Sequence, residues 1–309
     1  MPERRAHDLY SSYRYCREVA RKRARNFYYS FIVLPREKRD AMCAVYAFMR
    51  YCDDIADDPD FLAEQGAAGR PSKRDMLERW RRSLDCAAEG DYSDSPILPA
   101  FHDTVRKFGI PLEYFRELID GAMMDLSVDR YSTFDELYDY CYKVASVVGL
   151  VCIHIFGFDS PEAKRYAEYC GIAFQLTNIL RDLKEDAESG RIYIPEEDLR
   201  AFQYSPAELM SGVRDERFHR LMRFEVARAR GYYNAALPLV SMVHGSGRPG
   251  LCAMIEIYFS ILEAIEKRHY DVFQQSISVP KRRKVAIAAR ALVRSRLSGG
   301  RSYLPELRS

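Results

Sequence analysis

The sequence predicts an all-α fold, a single multi-helix bundle over residues 1–309 that encloses a central apolar cavity. Three observations carry this expectation. Apolar residues recur at i, i+3 and i+4 through most of the chain, no convincing alternating strand run interrupts them, and capping signals open several of the periodic segments. The run "REKRDAMCAVYAFMRYCDDIAD" sets Ala41, Val45, Phe48 and Cys52 in one stripe. "PLEYFRELIDGAMMDL", "TFDELYDYCYKVASVVGLVCIHIF" and "SPEAKRYAEYCGIAFQLTNILRDLKEDA" repeat the spacing. Thr133 with Glu136 reads as a capping pair, and Ser160 with Pro161 as a helix start. Further helices are expected near 14–25, 213–243, 250–273 and 281–297. Turn signals fall at 59–72, "EGDYSDSP", "FGFDSP", "ESGRIYIPEED" and "HGSGRPG". None is long or biased enough to be an interdomain linker, and no internal repeat is visible, so one domain is expected.

Bulk composition narrows the classes. Apolar residues make up 48% and charged residues 30%, the profile of a soluble globular chain. A net charge of +2 and the absence of a recognisable binding motif argue against nucleic acid as a partner. Eight cysteines occur without a C-x-x-C pair, several inside apolar helical patterns, which predicts buried thiols in a reducing compartment. The N-terminal stretch "MPERRAHDLYSSYRY" has no apolar core of a secretory signal, and the longest apolar run, Val144 to Phe158, is too short to span a bilayer. The expected location is the cytoplasm.

Two acidic clusters carry the chemistry. In "MRYCDDIADDPD" Asp53 and Asp57 lie one helical turn apart on one face, and Asp54 and Asp58 repeat this one position round. In "QLTNILRDLKEDAESGRIYIP" Asn178, Asp182 and Asp186 form one oxygen stripe, with Arg181, Lys184 and Arg191 around it. Hard oxygen donors without His or Cys select Mg²⁺, or Mn²⁺, over zinc. Mg²⁺ binds through one or two carboxylates and completes its shell with water and substrate phosphates. Two such faces across a cavity suit a diphosphate held through bridging ions, leaving from an allylic carbon in a dry apolar site. A solitary D-x-x-x-D is usually a solvated helix face. Asp125 and Asp129, at the same spacing beside Arg130, are read that way, as a helix end explained by local pairing.

These segments resemble the squalene and phytoene synthases, class I enzymes that join two prenyl diphosphates head to head. "LPREKRDAMCAVYAFMRYCDDIADD" resembles the first aspartate motif of that family, "YCYKVASVVGL" its middle helix, and "QLTNILRDLKEDAESGRIYIP" its second aspartate motif. The resemblance runs from about Ala24 to Phe273. It implies that Asp53, Asp57, Asn178, Asp182 and Asp186 ligate Mg²⁺ and present the diphosphates, and that Arg25, Arg50 and Arg181 contact diphosphate oxygens. Arg191 belongs to the same substrate-binding set, and Gln175 lies one turn before the metal stripe. Tyr46, Tyr140 and Tyr258 match positions lining the reaction centre, where π faces stabilise a passing cation. Where the family often carries Ser or His-Ser, this chain has Arg23, Ala24, Arg25 and Asn26, leaving Arg25 and Asn26 to substitute as phosphate partners.

The implied reaction ionises one prenyl diphosphate, alkylates the double bond of the second and closes a cyclopropane with loss of a proton. Two farnesyl diphosphates giving presqualene diphosphate or a squalene-type triterpene is the preferred reading, with two geranylgeranyl diphosphates and a phytoene product as the alternative. A class I terpene cyclase and a non-catalytic assembly factor are less favoured, because the long second motif and all four aspartates are present. A reductive finish would require NADPH, which no G-x-G-x-x-G motif supports. "ESGRIYIP", with Gly190 at a helix end, is open to two readings, a lid over the diphosphates or a passive connector. In "PKRRKVAIAARALVRSR" Val285, Ala288, Ala289 and Leu292 share a face with basic residues around the other, which leaves open a peripheral membrane contact. A last bundle helix with a solvated basic face is the preferred reading. Contact with other enzymes of isoprenoid synthesis is also left open.

Overall fold

The computed structural model describes residues 8–24, 26–57, 71–92, 95–274 and 276–297, without the side chains of Asp57 and Arg296. Arg25, Asp58, Asp60 and the Asp57 carboxylate therefore lie outside the described residues. The described chain is helical with no strand, its only β pairing two isolated bridges. In order the helices are α1 (Leu9–Arg23), α2 (Tyr28–Phe31), α3 (Arg36–Asp57), α4 (Lys73–Ala88), α5 (Leu98–Phe108), α6 (Glu113–Met124), α7 (Phe134–Cys141), α8 (Val147–Phe156), α9 (Ala163–Glu188), α10 (Glu196–Ala201), α11 (Pro206–Met210), α12 (Glu216–Ala236), α13 (Leu239–Met242), α14 (Arg248–Lys267) and α15 (Lys281–Leu297). A π turn, Tyr142–Ser146, joins α7 to α8.

The expected helix over 213–243 is two. Asp215 caps α12 by accepting from the Arg217 and Phe218 amides, and Pro238 follows the end of α12 and precedes α13. The helix expected to reach Phe273 ends at Lys267, followed by His269 and Tyr270 at positive φ. Helices α4 and α5 went unread in the sequence; Ser72 with Asp75 forms a capping box for α4. Thr133 caps α7 through the Glu136 amide, as expected.

Helix α9 runs through the centre, packed by α8, α12, α14 and the π turn. Helix α8 is buried on nearly every side, which a helix apolar all round requires. Two glycines let these backbones touch. A Cβ at Gly171 would lie 2.5 Å from Ser146 Cα and 2.7 Å from the Ala145 carbonyl oxygen, and one at Gly149 would lie 2.7 Å from that of Ala167. On the other side of the bundle Phe48 of α3 stacks on Trp80 and Phe101 at 4.9 and 4.3 Å and meets Phe115 edge-on at 5.3 Å. Such pairs add about 0.5–1.5 kcal/mol each beyond area burial. They clamp one face of α3 to α4, α5 and α6, which leaves its opposite face for the cavity.

The continuous helical stretch Phe134–Phe156 is long and apolar enough by composition to cross a membrane. Here it packs against α6 and α9, and its π turn, a feature common at functional sites, interrupts it midway. Ser146 donates to the Glu168 carbonyl oxygen at 2.9 Å and the Lys143 ammonium pairs with Glu117, which pins the turn on both sides.

Beyond α9, Gly190 at φ 81° turns the chain back over the bundle. The Ile192, Glu196 and Glu197 amides donate to the carbonyl oxygens of Asp129, Tyr131 and Ser132 at 3.0, 2.9 and 3.1 Å. Ile192, Tyr193 and Ile194 are buried. This segment is a strap anchored to the bundle. Helix α10 fixes its far end: Arg228 donates to Asp198 at 2.7 Å and to Glu225 at 2.8 Å, with both carboxylates buried.

Two carboxylates share one guanidinium there, and burial holds the Glu225 carboxyl above its ordinary value; Arg228 opposes the shift and Asp198 adds to it. A carboxyl whose pKa rises on folding binds its proton more tightly in the native state. Its contribution to stability is full below the unfolded value, near 4.5, and is lost as pH rises through the native one. The fold should therefore lose stability from pH 5 upward through neutrality, and Glu225→Gln, which cannot ionise, should flatten that slope. Urea midpoints across the pH range check this; an unchanged slope refutes it.

Candidate active site

A cavity of about 430 Å³ lies between α3, α6, the π turn with α8, α9 and α14. Its polarity changes along α9. Ala167, Cys170, Gly171 and Phe174 line it first, then Gln175, Asn178, Arg181 and Asp182. At 1.5 Å per residue this progression covers about 22 Å. Helix α8 adds only apolar or small groups, Val148, Gly149, Cys152 and Ile153. From α3 come Tyr46, Met49, Arg50 and Asp53, the face left free by the Phe48 cluster. The structure thus brings Asp53 of the first acidic cluster and Asn178 and Asp182 of the second to one cavity, with Tyr46, Tyr140 and Tyr258 in its wall.

The neighbouring carboxylates divide their tasks. Asp54 accepts from Arg50 at 2.5 Å and from Arg23 at 2.7 Å, so it positions arginines while Asp53 faces the cavity. Arg181 forks onto Asp182, its Nε donating at 2.7 Å and its Nη2 to the other oxygen. Asp186, one turn on, is absent from the cavity lining. Burial, and then the negative charge of Asp182, push its carboxyl up to about 7 against the opposing charge of Arg191. Gln175 accepts from the Asn178 amide at 3.3 Å. Two polar atoms remain buried without a partner beside these groups, Asn178 Oδ1 and Arg50 Nε. The first is a bare oxygen donor, as a hard cation requires, and the second an unused N–H suited to a phosphate oxygen. Among the described residues no group of three or more His, Cys, Asp or Glu stands together as a ready metal cage. The side-chain oxygens fit a Mg²⁺ ion that completes its shell with water and phosphate.

Tyr258 stacks on Phe174 at 4.4 Å, with Asn26 and Asn178 in hydrogen-bond reach of its hydroxyl. Burial pushes that hydroxyl up to about 12, despite Arg181 nearby. Tyr46 and Tyr140 are likewise held above the ordinary phenol value by burial, so all three stay neutral in the cavity. Asn26 thus stands at the cavity wall beside Tyr258. Arg191 donates to the Tyr193 hydroxyl at 3.4 Å, and its charge acts on Asp186.

One expectation is overturned. Asp125, at the C-terminal end of α6, is not a solvated helix face: it lines the cavity and accepts from the Tyr193 hydroxyl at 3.1 Å. Arg130 donates to the carbonyl oxygens of Asp129 and Gly190, both at 2.7 Å. The Tyr140 hydroxyl stands 3.5 Å from that of Tyr193, and Tyr131 stacks beside both rings. Tyr131 and Tyr193 went unread in the sequence; the isoleucines flanking Tyr193 in "RIYIP" were the available sign that this segment is buried.

Comparison with known proteins agrees with this geometry. The sequence profile of the family described as squalene/phytoene synthase matches residues 20–283. The 15-cis-phytoene synthase of Synechococcus elongatus is 35% identical over 306 residues, covering 95% of this chain and 96% of that protein. The phytoene synthase of Mycobacterium tuberculosis is 38% identical over 291 residues, covering 93% of each. Among solved structures, a dehydrosqualene synthase in complex with a ligand superposes with a TM-score of 0.82 at 28% identity, covering 94% of this chain and 98% of that one. A squalene synthase from Alicyclobacillus acidocaldarius gives 0.76 at 27% identity, covering 85% and 95%. A match that spans most of the chain, on a fold that gathers both aspartate clusters at one cavity, makes this protein a prenyltransferase of the squalene/phytoene synthase family.

Proposed function

We propose that the protein condenses two C20 prenyl diphosphates head to head, releasing diphosphate, and ends at a phytoene-type tetraterpene. The carrying observation for the reaction class is the cavity whose wall passes from arginine, amide and carboxylate to wholly apolar along α9. For chain length, the support is relatives 35–38% identical over nearly the whole chain and named phytoene synthases. This reverses the sequence preference for C15 substrates. A second reading, two C15 substrates, is favoured by the dehydrosqualene and squalene synthase structures.

Asp53, Asn178 and Asp182, with Asp186 behind them, would hold Mg²⁺; when bound, the ion neutralises the departing diphosphate. Arg50, with its free Nε, and Arg181 bind phosphate oxygens. Each arginine keeps a carboxylate partner until substrate arrives, so its charge is never left unpaired. Tyr46, Phe174 and Tyr258 offer π faces to the allylic cation, and the small side chains along α8 and α9 exclude water around it. Ring closure forms a C–C bond and breaks a C–H bond. The Tyr140 oxygen receives that proton while its own hydroxyl hydrogen passes toward Tyr193 and Asp125. A phytoene-type product also ends by proton loss, so no nicotinamide is needed. The free cysteines, all but Cys86 buried, support a reducing compartment, the cytoplasm.

Incubation with C15 and C20 prenyl diphosphates separately, with Mg²⁺ and with or without NADPH, tests the proposal. The expected product is a C40 hydrocarbon from the C20 substrate, independent of NADPH. A C30 product with the C20 substrate untouched transfers the assignment to the second reading. No diphosphate release from either substrate sinks both.

A further inference from the structure

The last helix holds an unexpected arrangement. Its inward face is Lys284, Ile287, Ala288 and Ala291, all buried where α15 packs against α14 and α2. The face grouped from sequence is therefore split, because Ala288 turns inward while Val285 turns out. The outward side is apolar as well: Val285, Ala289, Val293 and Leu297 follow at i, i+4, i+8 and i+12 and are all exposed, Leu297 at 81%. A solvated closing helix would carry charge along that stripe. Charge stands at its start in Lys281 and Arg282 and at its edge in Arg290, and Arg296 falls in its last turn, while Arg294 lies toward Glu256 and Glu263. The helix contains seven basic residues and no acidic one. Arg283 and Arg290 are neutralised by Glu263 and Glu256 of α14 at 3.2 and 3.0 Å, and the buried Lys284 ammonium lies over the Tyr29 ring. Lys281 and Arg282, both exposed at the start of the helix, remain to face outward.

We propose that α15 docks the protein on an anionic lipid surface, with Val285, Ala289, Val293 and Leu297 entering the acyl boundary and Lys281 and Arg282 meeting the headgroup phosphates. An in-plane helix of this kind needs an apolar stripe on the side away from the protein and cationic side chains beside it, and both are present. The charge selects this occupant over a second copy of the chain, whose identical stripe would bring its own cations against these. The inference extends the proposed function, because a prenyl condensation takes amphiphilic substrates and yields an oil that partitions into membrane. Its test does not depend on turnover.

Flotation of the full chain with phosphatidylcholine vesicles, with and without phosphatidylglycerol, provides that test. Binding is expected only to the anionic vesicles, falling as salt rises. Lys281→Glu and Arg282→Glu should each weaken it by roughly fivefold. Val285→Asp with Val293→Asp should weaken it at least about tenfold, with melting temperature and activity on detergent-dispersed substrate unchanged. Absence of flotation, equal binding to neutral vesicles, or wild-type affinity of the aspartate variant would each overturn the proposal. So would a dimer in light scattering that the aspartate variant dissolves, which assigns the stripe to a second copy. Vesicle binding without turnover would leave this inference standing and remove the proposed function.

Discussion

Replacing Asp182 by asparagine is expected to cut diphosphate release by roughly three orders of magnitude while leaving the melting temperature nearly unchanged. The carboxylate is placed to hold a cation and also accepts two hydrogen bonds from Arg181. Asparagine keeps the shape and one accepting oxygen, so Arg181 keeps one of its two hydrogen bonds while the negative charge disappears. Alanine would confound the experiment further, because it removes both acceptors of a largely buried guanidinium, at a stability cost of roughly 1–3 kcal/mol. Single-turnover release of diphosphate from the C20 substrate, read alongside thermal denaturation, separates the two effects. Wild-type turnover in Asp182→Asn would remove this residue from the metal site.

The second large effect is structural. Gly171→Ala should cost roughly 3 kcal/mol and lower the melting temperature by about 5 °C or more, because the new methyl would press on Ser146 Cα and the Ala145 carbonyl oxygen. Main-chain atoms cannot rotate out of the way as a side chain can, so the π turn and α9 must separate. Both elements line the cavity, and the same substitution should impair turnover without altering any polar group. Unfolding midpoints with steady-state kinetics check the prediction; a variant as stable as the parent would mean that the π turn and α9 slide apart freely.

Much of this was legible in sequence, for identifiable reasons. Periodicity locates a helix, and α3 and α9 carry their acidic clusters at spacings that survive into the fold. What periodicity does not convey is which of two adjacent aspartates faces inward. Asp53 and Asp54 are separated by the Phe48 cluster, which rotates α3, and by Arg23, which claims Asp54 from another helix. Asp125 escaped for a related reason. Its neighbour Arg130 offered an obvious partner, but that arginine serves a carbonyl sixty residues along the chain, in the strap. Long-range partners of this kind leave no local trace. The outward stripe on α15 was hidden because a spacing argument shows one apolar face and cannot tell that a second lies beside it.

The π turn has a further consequence, for which changes the gene tolerates. Its extra residue sets the phase between Tyr140 on one side and Val148, Gly149 and Cys152 on the other. Deleting one residue between Lys143 and Ser146 would turn α8 by about 100° relative to α7. Gly149 would then leave its contact with Ala167, and a different set of side chains would face the cavity. Substitutions along this stretch alter one contact at a time, whereas a single-codon deletion rewrites the whole wall at once. Length, more than residue identity, is the conserved quantity to expect in this segment.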